Sequence, residues 1–176
     1  IAVAKSKLIA LDASSGKTKW MVKTPRIFDE LLAHDGNLFA ATKRELLALR
    51  LNDGHVVWRT SPRSKIVAGP VYFNGLLAVP QDTEIGFFDT NSGRRLGELK
   101  FDDEISGPLV SSDPQRLWVL VGSKRLAAIE PAPDHSQGSE TTPAIAKSKF
   151  WIQNAMAVQW PPKLVGNSLL IAAEHS

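Results

Sequence analysis

The chain of 176 residues contains no cysteine. That absence excludes disulfides, thiolate metal sites and a cysteine nucleophile from these residues, and it fits a reducing cytosol or a periplasm equally well. Long apolar runs are missing too. A membrane-spanning helix needs roughly 18 to 20 consecutive apolar residues, whereas the longer runs here, such as LLIAA at 169–173, are the size of strands. A strong charge of one sign is also lacking, since a net charge of +3 is too small to imply nucleic acid. The opening IAVAKSKLIALD has no initiator Met, no basic n-region and no cleavage pattern, so no targeting peptide is recognisable among these residues. At 43% hydrophobic and 22% charged residues, what remains has the composition of an ordinary globular domain.

The charge is unevenly distributed. Residues 1–66 carry twelve Lys and Arg against six Asp and Glu, while 67–176 carry nine against twelve. A mildly basic half followed by a mildly acidic one can steer a partner, although solvated loop charge is the commoner cause of such a pattern.

What the chain does have is repetition. The stretch LIALDASSGKTKW (8–20) reappears as LLALRLNDGHVVW (46–58), with Gly at the same place and Trp four residues after it. Gly16, Gly54 and Gly93 are 38 and 39 residues apart, and the strands entering their turns begin at Leu8, Leu46, Ile85 and Leu126. A period of about forty residues is that of a propeller blade. Each period holds four short apolar runs bounded by Gly, Asn, Asp or Pro, which is a pattern of antiparallel strands. The middle runs LLAL, LWVLV and LLIAA do not alternate, as expected for inner strands covered on both faces by neighbouring blades. The expected fold class is therefore an all-β propeller of four-stranded antiparallel blades, with helix content close to nil.

The phrase from Ala10 to Trp20 resembles the tryptophan-docking motif A-x-D-x-x-T-G-K-x-x-W of the quinoprotein-type, PQQ-like repeat propellers, with Ser15 in place of the Thr. The resemblance assigns structural, blade-docking roles to Ala10, Asp12, Gly16, Lys17 and Trp20, then to Ala48, Gly54 and Trp58, then to Asp89 and Gly93. Ala10 suits a crowded site between strands, Asp12 accepts hydrogen bonds from its turn, and Gly16 supplies positive φ. In the resembling family the Trp stacks between blades. Later copies depart from the pattern: Arg50 stands for Asp and His55 for Lys in the second, and Arg94 for Lys and Gly97 for Trp in the third. The fourth keeps Ala128, has Glu130 for Asp, and resumes at FWIQ with Trp151 as a candidate replacement.

Phasing the repeats divides the chain into a partial blade at 1–28, blades at 29–66, 67–104 and 105–160, the last with an inserted loop at 131–149, and a partial blade at 161–176. Two closures are open. The strands of the tail pair with those of the head in a four-bladed ring with one surplus strand, or these blades form about half of a seven- or eight-bladed ring. Ragged ends favour the second, and such a segment on its own is expected to self-associate edge to edge.

Chemistry is sparse. His34, His55, His135 and His175 lie at turns or loops without a second ligand at metal spacing, and are expected to be polar turn residues. The acidic run DDE at 102–104 is expected to be a solvated loop between blades, since no clustered calcium-ligand run accompanies it. No G-x-S-x-G elbow or Gly-rich phosphate loop is present. No catalytic, cofactor-binding or metal residue is therefore assigned. The family that the repeats resemble contains PQQ-dependent dehydrogenases as well as non-enzymatic scaffolds, chiefly the periplasmic lipoprotein of the outer-membrane β-barrel assembly complex. The resemblance implies a protein-binding scaffold in the periplasm, while the small net charge and the short apolar runs give the expectation of no nucleic acid and no membrane-spanning segment. A sector of a dehydrogenase, using PQQ with calcium, and a sensor domain like those of lumenal stress receptors are the alternatives.

Overall fold

A computed structural model describes residues 1–4, 7–28, 30–113, 116–131, 148–153, 163–165 and 168–170. Among them are seventeen strands and no helix. β1 (Ala2–Ala4), β2 (Lys7–Leu11) and β3 (Thr18–Lys23) form a three-stranded sheet. The next three sheets have four antiparallel strands each, always in sequence order. The second blade is β4 (Leu32–His34), β5 (Asn37–Ala41), β6 (Leu46–Arg50) and β7 (Val56–Thr60). The third is β8 (Val71–Phe73), β9 (Leu76–Gln81), β10 (Glu84–Asp89) and β11 (Arg95–Lys100). The fourth is β12 (Val110–Asp113), β13 (Arg116–Val121), β14 (Arg125–Ile129) and β15 (Ser148–Gln153). β16 (Lys163–Val165) and β17 (Ser168–Leu170) pair with each other in a sheet of their own.

These are propeller blades, and the pattern of burial shows why the middle strands do not alternate. β6 and β9 are buried along nearly their whole length, while the outer strands β7 and β11 have only half-buried and exposed positions, alternating along β7. In the second blade, Leu38, Ala40, Leu47 and Leu49 enter one core cluster with Leu8 and Trp20 of the first. Their immediate neighbours Phe39, Ala41, Leu46 and Ala48 enter another with Leu77, Val79 and Phe88 of the third. Side chains of a strand point alternately to its two faces. Each middle strand thus supplies two seams, so its run is apolar on both faces, with polar residues such as Arg50, Gln81 and Glu84 only at the strand ends.

The inner strands stand side by side: β4 touches β8, β8 touches β12 and β12 touches β16. β16 and β17 therefore continue the series beyond the fourth blade, and among the described residues they do not pair with β1–β3. The tail–head pairing of a four-bladed ring is thus not seen among the described residues. The β4–β5 and β8–β9 hairpins turn at Asp35-Gly36 and Asn74-Gly75, all four residues with positive φ, as tight type I′ turns require.

Candidate functional site

Because consecutive strands are antiparallel, the connections fall at two ends of each blade. At one end lie the first turn of a blade and the turn that carries the repeated glycine. At the other lie the turn between the second and third strands and the link that leads to the next blade. The two ends have different construction.

The glycine turns are the same three times. Asp12, Arg50 and Asp89 each donate their N–H to the carbonyl of residue 17, 55 and 94, and accept at their own carbonyl from Gly16, Gly54 and Gly93. The three glycines have φ of 69°, 72° and 68°, in the left-handed region that glycine occupies without cost. Asp12 accepts from the Ser14 and Ser15 hydroxyls and N–H groups and pairs with Lys19. The Ser14 hydroxyl is the largest cause of a pKa held well below the ordinary aspartate value. Asp89 is lowered likewise, chiefly by the Ser92 hydroxyl. In the second copy, where Arg50 replaces the aspartate, Asp53 takes over from the other side of the turn. It accepts from His55 N–H at 2.9 Å and pairs with Arg50 at 2.9 Å. Lys17 contributes its backbone to the turn, while its side chain is exposed and the ion pair with Asp12 comes from Lys19.

The tryptophans connect one blade to the next. Trp20 is buried, opposite Ala10, and donates its indole N–H to the Leu51 carbonyl of the second blade at 2.8 Å. Trp58, opposite Ala48, donates to Thr90 of the third blade at 3.0 Å. Each ring lies on the glycine of the next blade's turn: a Cβ on Gly54 would stand 2.7 Å from Trp20, and one on Gly93 2.5 Å from Trp58. Gly54 and Gly93 are therefore required twice, by φ and by the ring. Gly16 has open space where its Cβ would be and is required by φ alone.

The third copy is exchanged rather than worn. Gly97, at the tryptophan position, lies directly opposite Phe87, at the alanine position. The large ring has moved across the strand pair, so that Phe87, fully buried, packs with Phe73, Val119 and Ile129 in the seam to the fourth blade. The fourth copy's Ala128 lies opposite Lys149 in the strand pairing. Of the loop 131–149, residues 132–147 lie outside the described residues, as do the side chain of Trp151 and both His135 and His175.

Two expectations need correcting. The DDE run is not merely solvated: Arg125 of the next blade bridges Asp102 at 2.7 Å and Asp103 at 3.6 Å, and a Cβ on Gly122 would collide with the Asp103 carboxylate. Asp102 is held below the ordinary aspartate range chiefly by its hydrogen bond to Arg125. His34 opens the Asp35-Gly36 turn, as expected, but is more than a polar turn residue. It ends inner strand β4 and stacks on Tyr72 of β8, with ring centroids 3.8 Å apart.

The opposite end of the blades carries a second series of joints that the repeated phrase does not reveal. Ile27, Ile66 and Ile105, spaced 39 and 39 residues, are buried in the links between blades and bridge Thr42, Gln81 and Val121. The spacing was readable, but it lies outside the phrase that marks the period. Ser64 donates to Glu84 of the following blade at 3.0 Å, and Arg95 also binds Glu84 at 2.8 Å. Beside them Gln81 is fully buried over Gly86, and its side-chain amide has no hydrogen-bond partner among the described residues.

At this end the link residues 25–28 and 30, the link 61–65 and the turn 42–45 line an open groove of about 1500 Å³. Five cations line it: Arg26, Lys43, Arg44, Arg63 and Lys65. Glu30, Glu45 and Asp82 lie among them, and Ile27 and Phe28 supply apolar floor. Among the described residues there is no group of three or more His, Asp and Glu arranged to hold a metal, and no helix long and apolar enough to cross a membrane.

Against known proteins, BamB from Moraxella catarrhalis superposes with a TM-score of 0.68 at 16% identity, over 98% of this chain and 53% of that one. At that identity the likeness establishes the fold, and the chain spans about half the length of that structure. The quinohemoprotein alcohol dehydrogenase ADHIIG from Pseudomonas putida HK5 covers 56% of this chain and 18% of its own, at 16% identity and a TM-score of 0.48, too loose to bear on function. A search of curated proteins found no match. The family model described as outer membrane protein assembly factor BamB matches residues 4–134, and with the repeated turns and seams above, the chain belongs to that family of PQQ-like repeat propellers.

Proposed function

We propose that these blades are part of a non-catalytic scaffold that holds other proteins, working outside the cytoplasm in the assembly of outer-membrane proteins. The observation that carries this reading is the family match over residues 4–134. The use the chain makes of its repeated side chains supports it. Trp20, Trp58, Asp12 and Asp89 are all spent on turns and seams, which yields a rigid frame whose loops are free to carry a binding surface. On this reading the residues need no cofactor.

Photo-crosslinking residues placed one at a time on the turns at both ends of the blades, in cells that make the protein, test it. Reproducible crosslinks to outer-membrane assembly proteins from one end are expected. No crosslink at any position, together with a shift in quinone absorbance when PQQ and calcium are titrated into the protein, would replace the scaffold by the dehydrogenase alternative.

A further inference from the structure

The groove at the linker end of the blades holds five of the twelve cations of the first 66 residues, against two of their six acids. Arg26 comes from the link between the first and second blades, Lys43 and Arg44 from the β5–β6 turn, and Arg63 and Lys65 from the link to the third blade. All five side chains are exposed. None forms an ion pair among the described residues, unlike Lys19, Arg50, Arg95, Lys100, Arg116 and Arg125, although exposed cations such as Arg59 elsewhere also stand without one. Cations brought together by three separate segments repel one another, and Glu30, Glu45 and Asp82 in the same groove, three acids against five cations with none in ion-pair contact, offset that repulsion only in part. Seams and turns determine the path of these links, so the repulsion is imposed by the fold.

We propose that this groove binds an extended, acidic segment of a partner protein. The proposal deepens the scaffold reading and rests on it. A volume of about 1500 Å³ is larger than a single small anion fills, and it runs across two successive blade links, which suits a chain. Nucleic acid fits less well, because a uniformly anionic backbone would meet Glu30, Glu45 and Asp82 along the same path. A peptide can place carboxylates against the arginines, neutral or basic residues against those three acids, and an apolar side chain on half-buried Phe28. Arg44 and Arg63 offer planar, bidentate donors for carboxylates.

The probe is a fluorescein-labelled peptide of about twelve residues, long enough to cross both links at about 3.3 Å per residue, repeating the unit Glu-Ser-Leu-Asp. Its amide counterpart repeats Gln-Ser-Leu-Asn. By anisotropy in about 50 mM salt, where charges act over more than 10 Å, the acidic peptide should bind at least about tenfold tighter than the amide peptide. Arg44→Glu with Arg63→Glu should abolish that preference, and Arg59→Glu, an exposed cation on outer strand β7, should leave it intact. All three sites are exposed, and circular dichroism confirms that the variants fold. Equal affinity for the two peptides, an equal loss with Arg59→Glu, or tighter binding of a labelled oligothymidylate would each overturn the proposal. If the groove fails while crosslinks form at the glycine-turn end of the blades, the scaffold reading stands and only this surface is lost; if no position crosslinks, the scaffold reading itself fails.

Discussion

Alanine at Gly54 and at Gly16 should differ in cost, although the two glycines hold equivalent places in the repeat. Both have φ near 70°, so either substitution costs about 1–2 kcal/mol for placing an L-residue in the left-handed region. At Gly16 nothing lies within 4 Å of the added methyl, and the cost stops there. At Gly54 the methyl would stand 2.7 Å from two carbons of the Trp20 ring and 3.1 Å from Val22. A buried ring that is also tied by its N–H to Leu51 cannot withdraw freely, and overpacking of this kind adds about 1–3 kcal/mol. Gly54→Ala should therefore lose about 2–5 kcal/mol. Urea unfolding followed by circular dichroism reads the difference as a shift in midpoint at unchanged slope. The cause is isolated by repeating Gly54→Ala in a Trp20→Leu background, where the added cost should fall back to that of Gly16→Ala; the coupling of about 1–3 kcal/mol is the ring contact itself. Equal losses at the two glycines, or an unchanged cost in the Trp20→Leu background, would mean that the tryptophan ring does not press on the glycine of the next blade.

Other consequences can be measured in the same way. Gln81→Leu removes a fully buried amide that has no partner among the described residues, and should stabilise the chain by about 1–3 kcal/mol in urea titration; a loss of stability would mean that the amide is satisfied in solution. Ile66→Ala, at a fully buried link position, should cost about 2–5 kcal/mol, and a cost below about 1 kcal/mol would show that the linker joints carry little. Asp12, Asp53 and Asp89 are all held below the ordinary aspartate pKa of about 4. A depressed carboxylate contributes stability that is fully present above its unfolded pKa and is lost as pH falls through its folded one. Thermal midpoints should therefore fall as pH drops below about 4, and fall less steeply in Asp12→Asn and Asp89→Asn; parallel curves would remove the turn carboxylates as the cause.

The propeller was legible because its signals are local. The positions of Leu46 and Ile85, the unbroken apolar runs and the glycine spacing state the strand period directly, and burial of both faces of β6 and β9 is the packing those runs require. The exchange at the third copy was half legible. Gly97 marks the loss of a ring, but that Phe87 stands opposite it depends on register, and a β-bulge at Phe87/Phe88 sets that register. The role of Asp53 in the second copy was hidden for a similar reason, since a carboxylate three residues along reaches the same turn from its other side.

The groove was not legible, and neither were the linker joints beside it. Sequence alone showed twelve cations against six acids in residues 1–66, with no means of telling dispersed charge from gathered charge. By itself it determined the strand period, the family and the positive-φ glycine of the three repeated turns, because these follow from backbone sterics and from burial within a few residues. Tertiary structure decided which glycine bears a tryptophan, which acid meets Arg125 and which cations share a groove. Those contacts join residues about twenty to forty positions apart, such as Asp102 with Arg125 between blades and Trp20 with Gly54 in the seam, and only the stacking of one blade on the next brings them within reach.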